Sequence, residues 1–187
     1  MELGVFLISL AGGIGLSSAC GFRVFVPPLL MSLASILGIL DLNGDLAWMG
    51  TIPALILFAF ATVIEIGSYY IPWVDNMLDT IASPAAVIVG ILVSSAVIEA
   101  DSDLIRWTAA IVLGGGSAGM VQSGTVFTRG ISTTLTGGAA NSTISTIEAV
   151  ASLIVSILAI IAPLLVLLVL VGIFYYMFSR RSRTREV

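Results

Sequence analysis

Residues 48–70 read WMGTIPALILFAFATVIEIGSYY, an unbroken apolar run with a single charge at Glu65 and aromatic residues at both ends. About 20 largely apolar residues suffice for a helix to cross the roughly 30 Å hydrocarbon core of a bilayer, and Trp and Tyr gather where such helices meet the headgroups. The run has the length and anchors of a transmembrane helix, and other stretches follow the same pattern. Leu3 to about Ala19 and Val24 to Leu40 are two further runs. No basic segment precedes the first, and the apolar pattern restarts at once behind it, so it reads as a retained span rather than a cleaved signal peptide. Pro84 opens a run that ends at Glu99. Leu104 to Val121, with Trp107 near its start, makes its hairpin partner, and Ile147 to Phe178 closes the series. The expected fold is all-α and polytopic, with about six transmembrane helices.

Composition agrees and removes whole classes of function. Of 187 residues, 58% are hydrophobic and only 10% charged, where soluble domains carry about 25% charge. Seven basic residues, all Arg, face eleven acidic ones, so there is no polybasic surface for nucleic acid. With no His and one Cys, Cys20, the Ser-His-Asp triad, His-rich metal sites, thiolate zinc cages and disulfide frameworks are excluded. No cofactor, metal or enzymatic activity is expected. A lipid-directed enzyme built on Asp75 and Asp79 is the least favoured reading, and an intramembrane aspartyl protease is not expected, because its paired aspartates come from separate helices whereas these two share one turn.

Between the runs lie segments of intermediate character. In residues 71–83, IPWVDNMLDTIAS, the apolar Val74, Leu78 and Ile81 fall opposite Asp75 and Asp79 at helical spacing, as in an interfacial or partly inserted amphipathic helix. Residues 122–145, QSGTVFTRGISTTLTGGAANSTIS, are too polar for a lipid-facing span and too uncharged for a solvated loop, so a re-entrant or cavity-lining segment is expected. The final run contains Pro163 and reads as one long kinked helix or two segments, the former preferred because nothing polar interrupts it. Arg180, Arg181, Arg183 and Arg185 follow it. The positive-inside rule then places residues 179–187 in the cytoplasm, as the tail of a single transmembrane domain spanning 1–178, in a bacterial inner membrane.

An order recurs along the chain. Gly13, Ser17 and Gly21 form a small-residue stripe that precedes Arg23 and then Glu65; Gly115, Gly119 and Ser123 form another that precedes Arg129 and then Glu148. Such stripes let helices approach closely, within a chain or between copies in a homo-oligomer. The recurrence is compatible with an inverted repeat of halves 1–82 and 83–178, a common way to build a transport site, although the Arg-to-Glu spacing differs between halves.

A charged side chain at the bilayer centre costs about 2.5–3.5 kcal/mol on insertion scales. Arg23, Glu65, Arg129 and Glu148 therefore need partners or water. One reading has Arg–Glu pairs lining a polar cavity, with Arg recognising an anion and Glu exchanging protons or pairing with a cation. The other has the same pairs as structural salt bridges between helices. Asp75 and Asp79, one turn apart, either share a proton or cation or form the wet face of an interfacial helix. Asn141, with its neighbouring hydroxyls, either helps replace the hydration of an ion or, like Ser145, caps the following helix.

Three stretches resemble the bacterial membrane proteins grouped as domain of unknown function 4126. They are GLSSACGFRVFVPPLL (15–30), IEIGSYYIPWVDNMLDTIASPAAVIVG (64–90) and FTRGISTTLTGGAANSTISTIEAVASL (127–153). The middle motif matches through Pro72, Val74, Asp75, Asp79 and Pro84, and departs at Tyr70 and Ser83, where basic residues are expected; the last matches through Arg129, Asn141 and Glu148. The resemblance implies a compact helical membrane protein without established activity and gives weight to Asp75, Asp79, Arg129 and Glu148. The functional expectation is a small transporter or channel-like permease for an ion, a small and conceivably anionic solute, or a lipid headgroup, working among membrane lipids. A non-transporting structural or accessory protein is the alternative.

Overall fold

The computed structural model describes residues 2–71 and 74–172, except for the side chains of Asp75 and Asn76. The Asp75 side chain and the Arg-rich tail thus lie outside the described residues. Every long element among the described residues is a helix: α1 (Leu3–Cys20), α2 (Val26–Ile36), a 3-10 segment (Gly44–Gly50), α3 (Ile52–Ser68), α4 (Val74–Val97), α5 (Asp103–Ala109), a π-helical segment (Ala110–Gly115), α6 (Gly116–Thr136), α7 (Asn141–Ile161) and α8 (Pro163–Gly172).

Among the described residues, four helical stretches are long and apolar enough to span a bilayer: Leu3–Cys20, Met77–Val97, Asp103–Thr136 and Asn141–Ile161. A fifth appears if the 3-10 segment and α3, bent by 65°, count as one span. The expected count of six is reduced because the second run yields only the 11 residues of α2, about 16 Å of helix. The return from α2 is completed by irregular chain, held where Asn43 Nδ2 donates to the carbonyls of Ser95, Ala96 and Ile98 at 2.9, 3.1 and 2.8 Å. One amide thereby satisfies carbonyls that the end of α4 leaves without intrahelical partners. At the same end of the bundle, Arg106 pairs with Asp45 at 2.7 Å and Asp103 at 3.0 Å.

Three further expectations change. The amphipathic stretch and the run behind it form one helix, with Pro84 inside α4 rather than opening it. Residue 82, the boundary drawn between the halves, accordingly falls within continuous helix. Residues 122–145 are helical almost throughout: α6 continues to Thr136, and α7 begins at Asn141 after a turn in which Gly137 and Gly138 adopt φ of 64° and 89°. These positive values suit glycine because they bring a Cβ against the backbone. The final run is two helices rather than one. At Ala162 (φ −140°, ψ 62°) the chain leaves the helix, and α8 folds back so that Leu170 lines the same cavity as Ile144, Ile147 and Glu148 of α7.

Helix α1 lies at the centre, packed against α4, α6 and α7. Close approach is possible because the contact positions are small. A Cβ added at Gly13 would lie 2.8 Å from Ser94 Oγ, and one at Gly15 would lie 2.8 Å from the Ala159 Cβ. Side-chain hydroxyls tie the same contacts: Ser17 Oγ donates to the Gly90 carbonyl at 2.6 Å, and Ser152 Oγ to the Ala19 carbonyl at 2.9 Å.

Burial is inverted relative to a soluble bundle. The buried positions of α7 are Asn141, Ser145, Glu148, Ser152, Ser156 and Ala159, and those of α6 include Gln122, Thr125, Arg129 and Ser132. Both series recur every three or four residues, so each draws one polar face inward. Phe127, Leu135, Ile147 and Ile161 point outward and are mostly exposed. Large apolar side chains outside and hydroxyls inside suit a chain whose surroundings are hydrocarbon, and this is a multi-pass membrane protein.

Two substitutions test the packing. A Cβ at Gly21 would meet the Ala118 carbonyl oxygen at 2.6 Å and the Gln122 amide nitrogen at 2.9 Å, both backbone, whereas one at Gly67 meets nothing within 4 Å. Gly21→Ala is expected to lower stability by about 1–3 kcal/mol in thermal unfolding of the detergent-solubilised protein. Gly67→Ala should leave it unchanged or raise it by up to about 1 kcal/mol, through the better helix propensity of Ala. Cys20 is fully buried. A membrane-impermeant maleimide should therefore leave it unmodified from either face of the membrane and label it promptly after denaturation.

Candidate functional site

The ends of four helices and the link between two others converge toward one end of the bundle. Arg23 lies in that link, between α1 and α2; Glu65 is in the last turn of α3, with Tyr69 just behind it; and Asp79 is in the second turn of α4. Arg129 sits seven residues before the end of α6 and Glu148 seven residues after the start of α7, about 10 Å inside each. Arg23, Glu65, Tyr69, Arg129 and Glu148 are all buried, and the Asp79 side chain is only 12% exposed.

Glu148 is the hub. Arg129 reaches it through two parallel bonds, Nε to Oε1 at 3.1 Å and Nη2 to Oε2 at 2.8 Å, the fork geometry that makes Arg–carboxylate pairs strong and directional. Arg23 Nη1 lies 3.2 Å from the same Oε2. The remaining donors are largely committed as well. Arg129 Nη1 donates to Asp79 Oδ1, and Arg23 Nη2 donates to the Ser145 carbonyl at 2.7 Å and hydroxyl at 2.6 Å. Arg23 is thus fully inside and does not snorkel.

Both guanidiniums stand against the ring of Tyr69. The Arg23 Cζ lies 4.0 Å from the ring centroid and the Arg129 Cζ 4.4 Å, both within cation–π range. The ring attracts each cation, and its hydroxyl donates to Asp79 Oδ1 at 3.3 Å.

Glu65 has a different task from its expected pairing with Arg23. Its carboxylate accepts the Val24 amide at 2.7 Å and the Phe25 amide at 3.0 Å, donors exposed where the chain breaks ahead of α2. Pro27 and Pro28 open that helix without N–H groups of their own. The break after α1 is therefore stabilised by a carboxylate from another helix, placed at the positive end of α2.

The sequence-selected residues Arg23, Glu65, Asp79, Arg129 and Glu148 come together, and Asp79 faces the bundle interior rather than water. Asn141 stands apart as the first residue of α7, where its Nδ2 donates to Thr133 Oγ1 at 2.9 Å; no side chain caps the α7 N-terminus. The sequence reading treated Tyr69 only as an interfacial anchor and Ser145 only as a cap. The signal for Tyr69 was its place four residues after Glu65, which sets both on one helical face.

Beside Glu148 opens a cavity of about 440 Å³ between α6, α7 and α8. Phe22, Met120, Val121, Ile144, Ile147 and Leu170 supply apolar walls, Gly124, Thr125 and Thr128 complete them, and Glu148 is the charged residue at its edge. Neither guanidinium lines it. From the stretch 122–145, Gly124, Thr125 and Thr128 of α6 and Ile144 of α7 line this cavity.

The shared ring makes a sharp prediction. Tyr69→Phe keeps the ring and loses one long hydrogen bond, so thermal stability in detergent should change by no more than about 1 kcal/mol. Tyr69→Ala removes the ring from both guanidiniums and leaves a void beside them, and should cost about 3–5 kcal/mol.

A family model described as Domain of unknown function (DUF4126) matches residues 10–182. No curated protein and no solved structure matches the chain. The matched region contains every member of the buried ionic cluster and every wall of the cavity, and the chain belongs to the DUF4126 family.

Proposed function

We propose that this protein is a small permease of the bacterial inner membrane, moving a small solute past the buried ionic cluster. The observation that carries the reading is that a cavity of about 440 Å³ reaches Glu148, the carboxylate to which both buried guanidiniums are tied. An ion pair that only braces helices is best served by solid packing around it. One that handles a solute needs a way in, and intramembrane ionisable groups beside cavities characterise such pathways. The Arg residues fix the position and charge of Glu148 and hold the helix ends together. Their commitment to Glu148, Asp79 and Ser145 moves the solute contact from Arg to Glu148, away from direct anion recognition.

The closed hydrogen-bonding of the cluster corresponds to an occluded arrangement, in which Glu148 meets solute from the cavity while α1 seals the opposite side at Cys20. By the positive-inside rule the Arg-rich tail is cytoplasmic. With the final run folded back as two helices, span parity no longer assigns the N-terminus to the same side. Association between copies would use the small residues that α1 and α6 do not spend on internal contacts, such as Gly4, Gly116 and Gly130, where an added Cβ meets nothing.

The test is flux in proteoliposomes with a panel of radiolabelled organic cations, organic anions and a fluorescent phospholipid. Wild type should move at least one class, and Glu148→Gln should slow that movement at least tenfold. Equal behaviour of the two proteins across the whole panel would remove the reading. In its place would stand the structural alternative, for which the exchange Arg129→Glu with Glu148→Arg should restore folding with no transport.

A further inference from the structure

We propose that the cavity beside Glu148 is a binding site for a lipophilic organic monocation, an ammonium or phosphonium centre carried on an apolar body. This rests on the permease reading and names its substrate class. Three observations converge on it.

The first is shape and lining. A volume of about 440 Å³ lies within the range of small-molecule sites, about 300–1,000 Å³. The walls from Phe22, Met120, Val121, Ile144, Ile147 and Leu170 are apolar. They cannot replace the hydration shell of a small inorganic ion. Among the described residues, no three carboxylates or thiols stand together as a metal site would need. The occupant that gains from these walls brings apolar surface of its own.

The second is charge. Among the described residues, Glu65, Asp79 and Glu148 bring three carboxylates to the buried cluster that holds the two guanidiniums of Arg23 and Arg129. The amides that open α2 offset part of the Glu65 charge. Of these five groups only Glu148 lines the cavity. Its Oε1 has one bonded partner, Arg129 Nε, which leaves acceptor capacity on that oxygen. An anion would meet this carboxylate, and the positive groups are turned to other partners.

The third is Phe22, an aromatic residue that lines the cavity together with Glu148. An aromatic residue and a carboxylate on one apolar site favour a diffuse, weakly hydrated cation.

Gly124 supplies the variant that separates site from scaffold. It lines the cavity, and a Cβ built there meets nothing within 4 Å. Gly124→Phe therefore fills the space without touching an ion pair, while Glu148→Gln removes the charge. The experiment is equilibrium binding of radiolabelled tetraphenylphosphonium to the full chain in detergent, with binding of radiolabelled tetraphenylborate, an anion of the same shape, measured in separate samples. Saturable phosphonium binding is expected, weakened at least tenfold by Gly124→Phe and by Glu148→Gln, with tetraphenylborate bound at least tenfold more weakly. If Glu148→Gln does not fold, Gly124→Phe and the borate comparison decide the matter.

Absence of saturable phosphonium binding to folded wild type overturns the proposal. So does Gly124-sensitive binding of tetraphenylborate with similar affinity, which would make the cavity a charge-indifferent slot for apolar chains such as lipid tails. Proteoliposome flux distinguishes the two levels of inference. Gly124-sensitive phosphonium binding with no flux of any panel member upholds the site and removes the permease. Glu148-dependent flux of an anion or lipid without phosphonium binding upholds the permease and removes the cation.

Discussion

Two guanidiniums taken out of water dictate much of this architecture. Each would be prohibitive alone in a bilayer, and each is made tolerable by a carboxylate, Glu148, which binds both. Satisfying that one requirement fixes the C-terminal half of α6 against the N-terminal half of α7 and brings the link after α1 to the same point. Asp79 then attaches α4. Tyr69, attached to α3, lays its ring against both cations. The cluster is a shared end-clamp for helices that have little hydrophobic reason to associate in lipid.

Along the rest of their length the helices hold together through close approach. Glycines and serines of α1 admit α4, α6 and α7 to backbone distance, and hydroxyls of Ser17 and Ser152 bond to carbonyls of neighbouring helices. At the end remote from the cluster, Asn43 and Arg106 perform a similar clamping with polar groups nearer the surface. A short α2 is accommodated because Glu65 stabilises one end of the segment and Asn43 the other. The bundle is pinned at both ends by polar side chains and packed between them by small ones.

Much of this was readable from residue type. Isolated charges in apolar runs identified Arg23, Glu65, Arg129 and Glu148, because such residues need partners wherever the fold puts them. Their pairing was not readable: the linear order suggested Arg23 with Glu65, whereas Glu65 bonds to amides at a helix break, which no side-chain pattern announces. Hydropathy found the apolar runs but misjudged their continuity. Pro84 was read as a start although α4 continues through it, and at Pro163 one kinked helix was preferred to two segments because no polar residue interrupts the run there. Polarity in 122–145 was taken to mean a re-entrant or cavity-lining segment, when it reflects helical faces turned inward. The inward face of a membrane helix is defined by polar periodicity, and weighing that periodicity on α6 and α7 would have given both their helicity and their orientation.

The inverted burial also governs how this sequence can drift. On the lipid-facing side, where Phe127, Leu135, Ile147 and Ile161 project, one apolar residue does nearly as well as another, since hydrocarbon imposes no particular shape on its neighbour. Inside, a serine or glycine is chosen to within a methyl group by the backbone it touches, and an arginine by the atoms it binds. Ancestry in such a chain is therefore recorded in its hydrophilic minority and its smallest residues. A comparison scored chiefly on hydrophobic similarity would find resemblance to any bilayer protein and kinship with none.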